Sequence, residues 1–185
     1  GFSGRMPNSN IGDSIVALGK QIVSTTQQFI ESNSNWNAKV IYGDTDSLFI
    51  SIQNKSPIEA IEIGKEMATA ITNNNPQPIK LQFEKVYCPL IFSSKKHYGG
   101  YKWESKEQIE KNEIQFDTKG IENVRRDSCK AMSKIIEKVI KILFNEKDLS
   151  HIKEYIFRSF DKIISGKVII SDFIFAKEVK WGKYH

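Results

Sequence analysis

The sequence predicts an α+β chain, an antiparallel sheet with packed helices followed by an α-helical segment. Three observations predict it. Val40 to Ile50 forms two short apolar arms around a polar turn, the pattern of a strand hairpin. Residues 10–31 and 57–72 carry apolar positions at helical spacing. From 127 to 166 the helical spacing recurs twice around a short break, and no strand pattern interrupts it.

Taken in order, residues 1–7 (Gly1-Phe2-Ser3-Gly4-Arg5-Met6-Pro7) read as an irregular lead-in. Asn10 and Asp13 are candidate caps for a helix running to about Glu31. Ile11, Ile15, Leu18, Ile22 and Phe29 share one face, so this helix should lie against a sheet. A polar loop, Asn33 to Asn37, carries Trp36. In the second arm of the hairpin, Leu48, Ile50 and Ile52 alternate with Phe49, Ser51 and Gln53, as a strand with one buried face does. Ser56-Pro57-Ile58-Glu59 is a capping box with proline at the first helical position. Its helix should reach about Thr72 through Ile61, Ala68 and Ile71, and stop at Asn73-Asn74-Asn75-Pro76. Ile79, Leu81 and Phe83 alternate with Lys80, Gln82 and Glu84 and predict a third strand.

Gly99-Gly100 suggests a hairpin turn by local rules. Tyr101 and Trp103 read as strand residues, and the charged stretch Ser105 to Asn112 has the composition of a loop. Ile114 and Phe116 begin a return strand. Asp127 or Ser128 should cap a helix to about Asn145, with Met132, Ile135, Ile136, Val139 and Leu143 inward. Asp148 or Ser150 starts another, carrying Ile152, Tyr155, Ile156 and Ile163, and Gly166 ends it. A short link between two amphipathic helices predicts an antiparallel pair.

With 185 residues the chain is one domain or two small ones, long enough to bury a core. No apolar run approaches the roughly 20 residues of a membrane helix, and nothing resembles a signal peptide. A net charge of +5 favours a polyanionic partner without specifying one. Cys88 and Cys129 have neither C-x-x-C spacing nor a histidine cluster, so no zinc is expected, and a reducing intracellular setting fits best. The chain begins at Gly1 with motifs almost at once, which reads as a piece of something larger.

The chemistry concentrates in Tyr42-Gly43-Asp44-Thr45-Asp46-Ser47. Two aspartates on a turn admit two readings. They satisfy the backbone of their own turn, or they present hard oxygen ligands for divalent cations on a stiff element. The whole string resembles the signature of family B DNA polymerases, which lies on a hairpin at the floor of the palm. That resemblance implies two-metal nucleotidyl transfer, adding deoxynucleoside triphosphates to a primer 3′ end. Asp46 is the first expected ligand of both Mg2+ ions and Asp44 the second. A further aspartate, on an upstream strand in the family, is not in this sequence, so the isolated chain is expected to be inactive.

Other stretches extend the resemblance. Leu81 to Tyr87 resembles a palm strand whose glutamate approaches the metals, which makes Glu84 a peripheral ligand; the alternative is a solvated strand glutamate. Lys95-Lys96-His97-Tyr98 resembles the K-K-x-Y element that holds primer-template DNA, with Lys95, Lys96 and Tyr98 as contacts. Lysines neutralise phosphates or reach minor-groove acceptors common to all base pairs. Its alternative is a charged edge strand. His97 stands where the family commonly has arginine.

Asp117 to Asp127 resembles the passage from palm to thumb, with Lys119, Arg125 and Arg126 near the departing duplex. Equally, one arginine pairs with Asp127 or Glu122 and only holds the junction. The resemblance places the palm in 1–118 and the start of the thumb in 119–185. It also implies one continuous strand through Gly99-Gly100 to about Glu104. A nuclear location, accessory subunits bound through other regions and no membrane partner are implied too. Ser3 to Pro7, Gly12 to Val16 and Asp172 to Glu178 resemble one branch of the family, associated with synthesis past DNA lesions. Another branch, a duplex-binding module without catalysis, and a nucleotide-cyclase-like palm are the competing readings. The K-K-x-Y element and the basic thumb argue against the last.

Overall fold

The computed structural model describes residues 8–44, 46–125 and 127–176. The chain divides into two compact units. The first comprises 1–87 and 102–115, the second 88–101 and 116–185.

The first unit is built on a helix, a hairpin and a second helix. α1 spans Ser9–Ser32. Its cap is Asn8, whose Oδ1 accepts from the Ile11 N–H at 3.2 Å, rather than Asn10 or Asp13. Only the C-terminal half of the expected apolar face is packed. Ile30 is fully buried and Phe29 packs on the core, whereas Ile11, Ile15 and Leu18 are exposed. A 3₁₀ turn at Ser34–Trp36 leads to β1 (Ala38–Asp44) and β2 (Ser47–Ile52), which pair antiparallel.

α2 spans Pro57–Asn74 and begins with the predicted capping box. The Ser56 N–H donates to Glu59 Oε2 at 2.8 Å, and Ser56 Oγ accepts from the Glu59 N–H at 3.3 Å. Ile30, Trp36, Met67 and Ile71 form the core between both helices and the hairpin, with Ala38, Val40, Leu48, Ile50 and Ile52 packed on it. The Trp36 indole N–H donates to Glu66 at 3.0 Å, so the ring is buried without stranding its donor.

The expected third strand does not form over Ile79–Glu84. Its inside-outside alternation is present, but the segment docks along α2 instead of joining a ladder. The Leu81 N–H donates to Thr72 Oγ1 at 3.0 Å, and that hydroxyl donates back to the Leu81 carbonyl at 3.2 Å. A Cβ on Gly64 would lie 2.5 Å from the Phe83 ring, so the missing side chain makes room for it on α2. The helix surface answers the backbone groups that a neighbouring strand otherwise takes.

Strand pairing resumes with β3 (Val86–Ser94), β4 (His97–Trp103) and β5 (Gln115–Lys119), in the order β3-β4-β5. Most of this sheet belongs to the second unit. β4 runs unbroken through Gly99 and Gly100, both buried. The charged stretch after it holds a short helix, α3 (Lys106–Glu110), that the loop composition concealed.

In the second unit, Tyr101 joins sheet to helix. Its ring meets Phe116 at 5.9 Å and Phe144 at 5.4 Å, and its hydroxyl donates to Asn145 at 3.2 Å. α4 spans Lys130–Glu146 and α5 Leu149–Ile164. They pack together across a two-residue link, with Asp148 capping α5 and Gly166 ending it at φ +67°. Neither Asp127 nor Ser128 caps α4. Cys129 holds that position without a side-chain bond, and the Asp127 carboxylate instead accepts from Arg125. Met132 is exposed rather than inward, while Ala131, Ile140 and Ile142 are buried. Among the described residues no helix is long and apolar enough to cross a membrane.

Candidate metal-binding hairpin and basic turn

The hairpin register decides where the two aspartates point. Ala38 pairs with Ile52 and Val40 with Ile50, all on the face packed against the core. Ile41 is then an extra residue, and pairing resumes with Tyr42 opposite Phe49, Gly43 opposite Leu48 and Asp44 opposite Ser47. Partners directly opposite share a face. The bulge therefore moves Tyr42 and Asp44 off the core face and onto that of Phe49, while Gly43 takes the core-side position. Two observations agree. The Tyr42 and Phe49 rings lie 5.6 Å apart, and a Cβ on Gly43 would meet the Leu48 side chain at 3.3 Å. Without the extra residue, strand alternation would drive Asp44 toward the apolar core. Bulges re-aim side chains in this way beside functional sites.

The turn is closed through the Asp44 carbonyl. It accepts from the Asp46 N–H at 2.6 Å and from the Ser47 hydroxyl at 3.1 Å. Asp46 is exposed and Asp44 half-buried. Asp44 and Asp46 are thus two residues apart at one short bend, where each carboxylate offers the hard oxygen donors that a divalent cation prefers. Phe49 also stacks on Tyr87 at 6.3 Å, which brings the segment after Glu84 onto the Asp44 face of the hairpin. Glu84 itself is exposed. Among the described residues no group of three or more His, Cys, Asp or Glu side chains is arranged to hold a metal ion, so Asp44, Asp46 and Glu84 do not form one. Two hard carboxylates fit part of a magnesium site, and full ligation takes further donors.

In the second unit, Lys95 and Lys96 are the two-residue turn between β3 and β4, both exposed, with Lys96 at φ +64°. Tyr98 follows on β4, its ring 5.6 Å from that of Phe92. The alternative of a charged edge strand is therefore replaced by a tight turn with two lysines at its tip. Lys119 is exposed at the end of β5. Arg125 donates from Nε to Asp127 at 2.8 Å and from its terminal nitrogen to the other oxygen of that carboxylate. This bond holds Arg125 still further toward its charged form. The junction-holding alternative thus describes Arg125, whose fork is already occupied. Arg126 lies outside the described residues, as do Thr45, Ser3 to Pro7 and the last two residues of Asp172 to Glu178.

The sequence profile of DNA polymerase family B matches residues 1–185. The chain belongs to that family. It is 54% identical over 183 residues to the DNA polymerase zeta catalytic subunit of Saccharomyces cerevisiae, covering 99% of this chain and 12% of that protein. To the zeta catalytic subunit of Arabidopsis thaliana it is 47% identical over 184 residues, 100% of this chain and 10% of that protein. The DNA polymerase delta catalytic subunit of Candida albicans is 32% identical over 180 residues, covering 94% and 17%. The chain thus spans about a tenth of the length of these two zeta relatives. Zeta is the branch of family B that the opening motifs resemble, and these identities favour it over delta.

Sequence reasoning missed three positions that shape the family B hairpin and turn. Ile41 is the bulge, and an apolar residue in an apolar strand gives no signal of it. Gly99 and Gly120 admit close neighbours. A glycine inside a strand pattern is a recognised sign of such an approach, so Gly99 was within reach.

Proposed function

We propose that this chain is the palm and the start of the thumb of a translesion DNA polymerase, a zeta-type catalytic subunit. The palm would take 1–118 and the thumb begin at 119. The single observation that carries this reading is the bulged hairpin, which turns Asp44 away from the core beside an exposed Asp46. Those carboxylates would hold magnesium together with the phosphates of an incoming deoxynucleoside triphosphate. The bound ions would activate the primer 3′-hydroxyl and neutralise the pyrophosphate leaving group. Asp44 and Asp46 anchor and orient; Glu84 would act from further out. Lys95, Lys96, Tyr98 and Lys119 would grip primer-template DNA without regard to sequence, with Arg126 in the same role and Arg125 shared with Asp127. A nuclear setting and accessory subunits bound by other parts of the full protein complete the proposal.

The test uses the full-length polymerase. Asp46→Asn should abolish magnesium-dependent primer extension while primer-template affinity stays near that of the parent. Normal extension by the variant would remove Asp46 from the site. The isolated 185-residue chain should bind duplex DNA at most; extension by it alone would show that these two carboxylates suffice.

A further inference from the structure

The Lys95-Lys96 turn is held from two sides by residues that carry no DNA-binding role in the preceding reading. One is Gly120, just past β5, at φ +70°. A Cβ on it would stand 2.2 Å from the Lys96 carbonyl oxygen, 3.2 Å from that carbonyl carbon and 3.1 Å from His97 Cδ2. No side chain fits there without displacing the Lys96 peptide, because backbone cannot yield as a flexible side chain does. The other is His97. Its Nδ1 lies 2.8 Å from the Lys95 carbonyl and 2.9 Å from Ser94 Oγ. A carbonyl only accepts, so Nδ1 carries the hydrogen and the ring closes over the turn. Lys96 meanwhile sits in the left-handed region, which residues other than glycine enter uncommonly.

We propose that Gly120 and His97 are positioning residues for Lys96. Gly120 seats the Lys96 peptide against the end of β5, His97 ties down the preceding carbonyl, and together they set the direction in which the lysine leaves the turn. The inference rests on the reading that Lys96 contacts primer-template DNA. It adds that β5 and the basic turn form one rigid grip rather than two independent basic segments.

The experiment compares Lys96→Ala, Gly120→Asn, His97→Phe and the double variant Lys96→Ala/Gly120→Asn in the full-length polymerase. Asparagine tolerates positive φ, so Gly120→Asn keeps the backbone region and adds the obstructing Cβ. Gly120→Asn should weaken primer-template binding about tenfold, the size of one lost charge-assisted contact. Its nucleotide KM and its turnover at saturating DNA should stay those of the parent. The double variant should bind no more weakly than Lys96→Ala alone. Parent-like binding by Gly120→Asn, or losses that add in the double variant, would overturn the positioning role while leaving the lysine contact intact. Parent-like binding by Lys96→Ala would instead remove the contact itself. Should Gly120→Asn lose its thermal transition, His97→Phe carries the test: it keeps a ring but loses the Nδ1 bond, and unchanged binding by it would overturn the proposal.

Discussion

A methyl group at position 99 would stand 2.5 Å from Cγ2 of Thr118, a buried residue of the neighbouring strand, and 3.4 Å from Ile121 Cδ1. Gly99→Ala is therefore an overpacking substitution, expected to cost about 1–3 kcal/mol by urea denaturation. Thr118 Oγ1 donates to Asn123 at 3.1 Å, so Thr118→Ser keeps that bond and removes only the obstructing methyl. In a Thr118→Ser background, Gly99→Ala should lose most of its cost; an undiminished cost would place the strain elsewhere. Ile41 acts at the same scale with the opposite logic. Its side chain matters less than its being there, because one additional residue reverses which face every later side chain occupies.

The α4–α5 hairpin shows element-level forces that the sequence displayed openly. Asp148 was one of two candidate caps for α5, and it is the one that accepts from the Ser150 N–H at 2.8 Å. Three residues on, His151 bonds the Glu146 carboxylate at the end of α4. This bond, with Asp148 and Glu154 nearby, raises the His151 pKa above its ordinary 6.5. A raised pKa means that the folded form binds the proton more tightly than the unfolded chain. The resulting stabilisation is complete below 6.5 and is lost as pH rises through the raised value. The urea midpoint should therefore fall as pH rises above 6.5, and His151→Gln should flatten that slope. An unchanged slope in the variant would assign the pH dependence to another group. The failed third strand is the converse case. Alternation in Ile79–Glu84 revealed which side chains are inward, but not whether a strand or the Thr72 hydroxyl would answer the backbone.

At the scale of the whole chain, the +5 charge acquires meaning only through where the cations are spent. Arg125 is engaged by Asp127, Lys106 by Glu62 and Lys134 by Asp172. Lys95 and Lys96 are exposed together at the tip of a tight turn, which places two positive charges side by side. In the full-length enzyme, Lys96→Ala should weaken DNA binding similarly on all sequences and lower the salt slope of log K by about one unit. An unchanged slope would exclude a phosphate contact and leave a minor-groove one. The sequence by itself determined the family, the α+β class, the hairpin, the capping box and the helical pair, because each is written in local spacing or in a contiguous motif. Only the tertiary structure decided which face Asp44 occupies, what packs so close to Gly99 within the strand, and that Arg125 is already engaged. Those outcomes depend on a neighbour distant in the chain: the opposing strand that sets a register, a threonine methyl that excludes a side chain, a carboxylate that occupies a guanidinium. No local pattern records who that neighbour is.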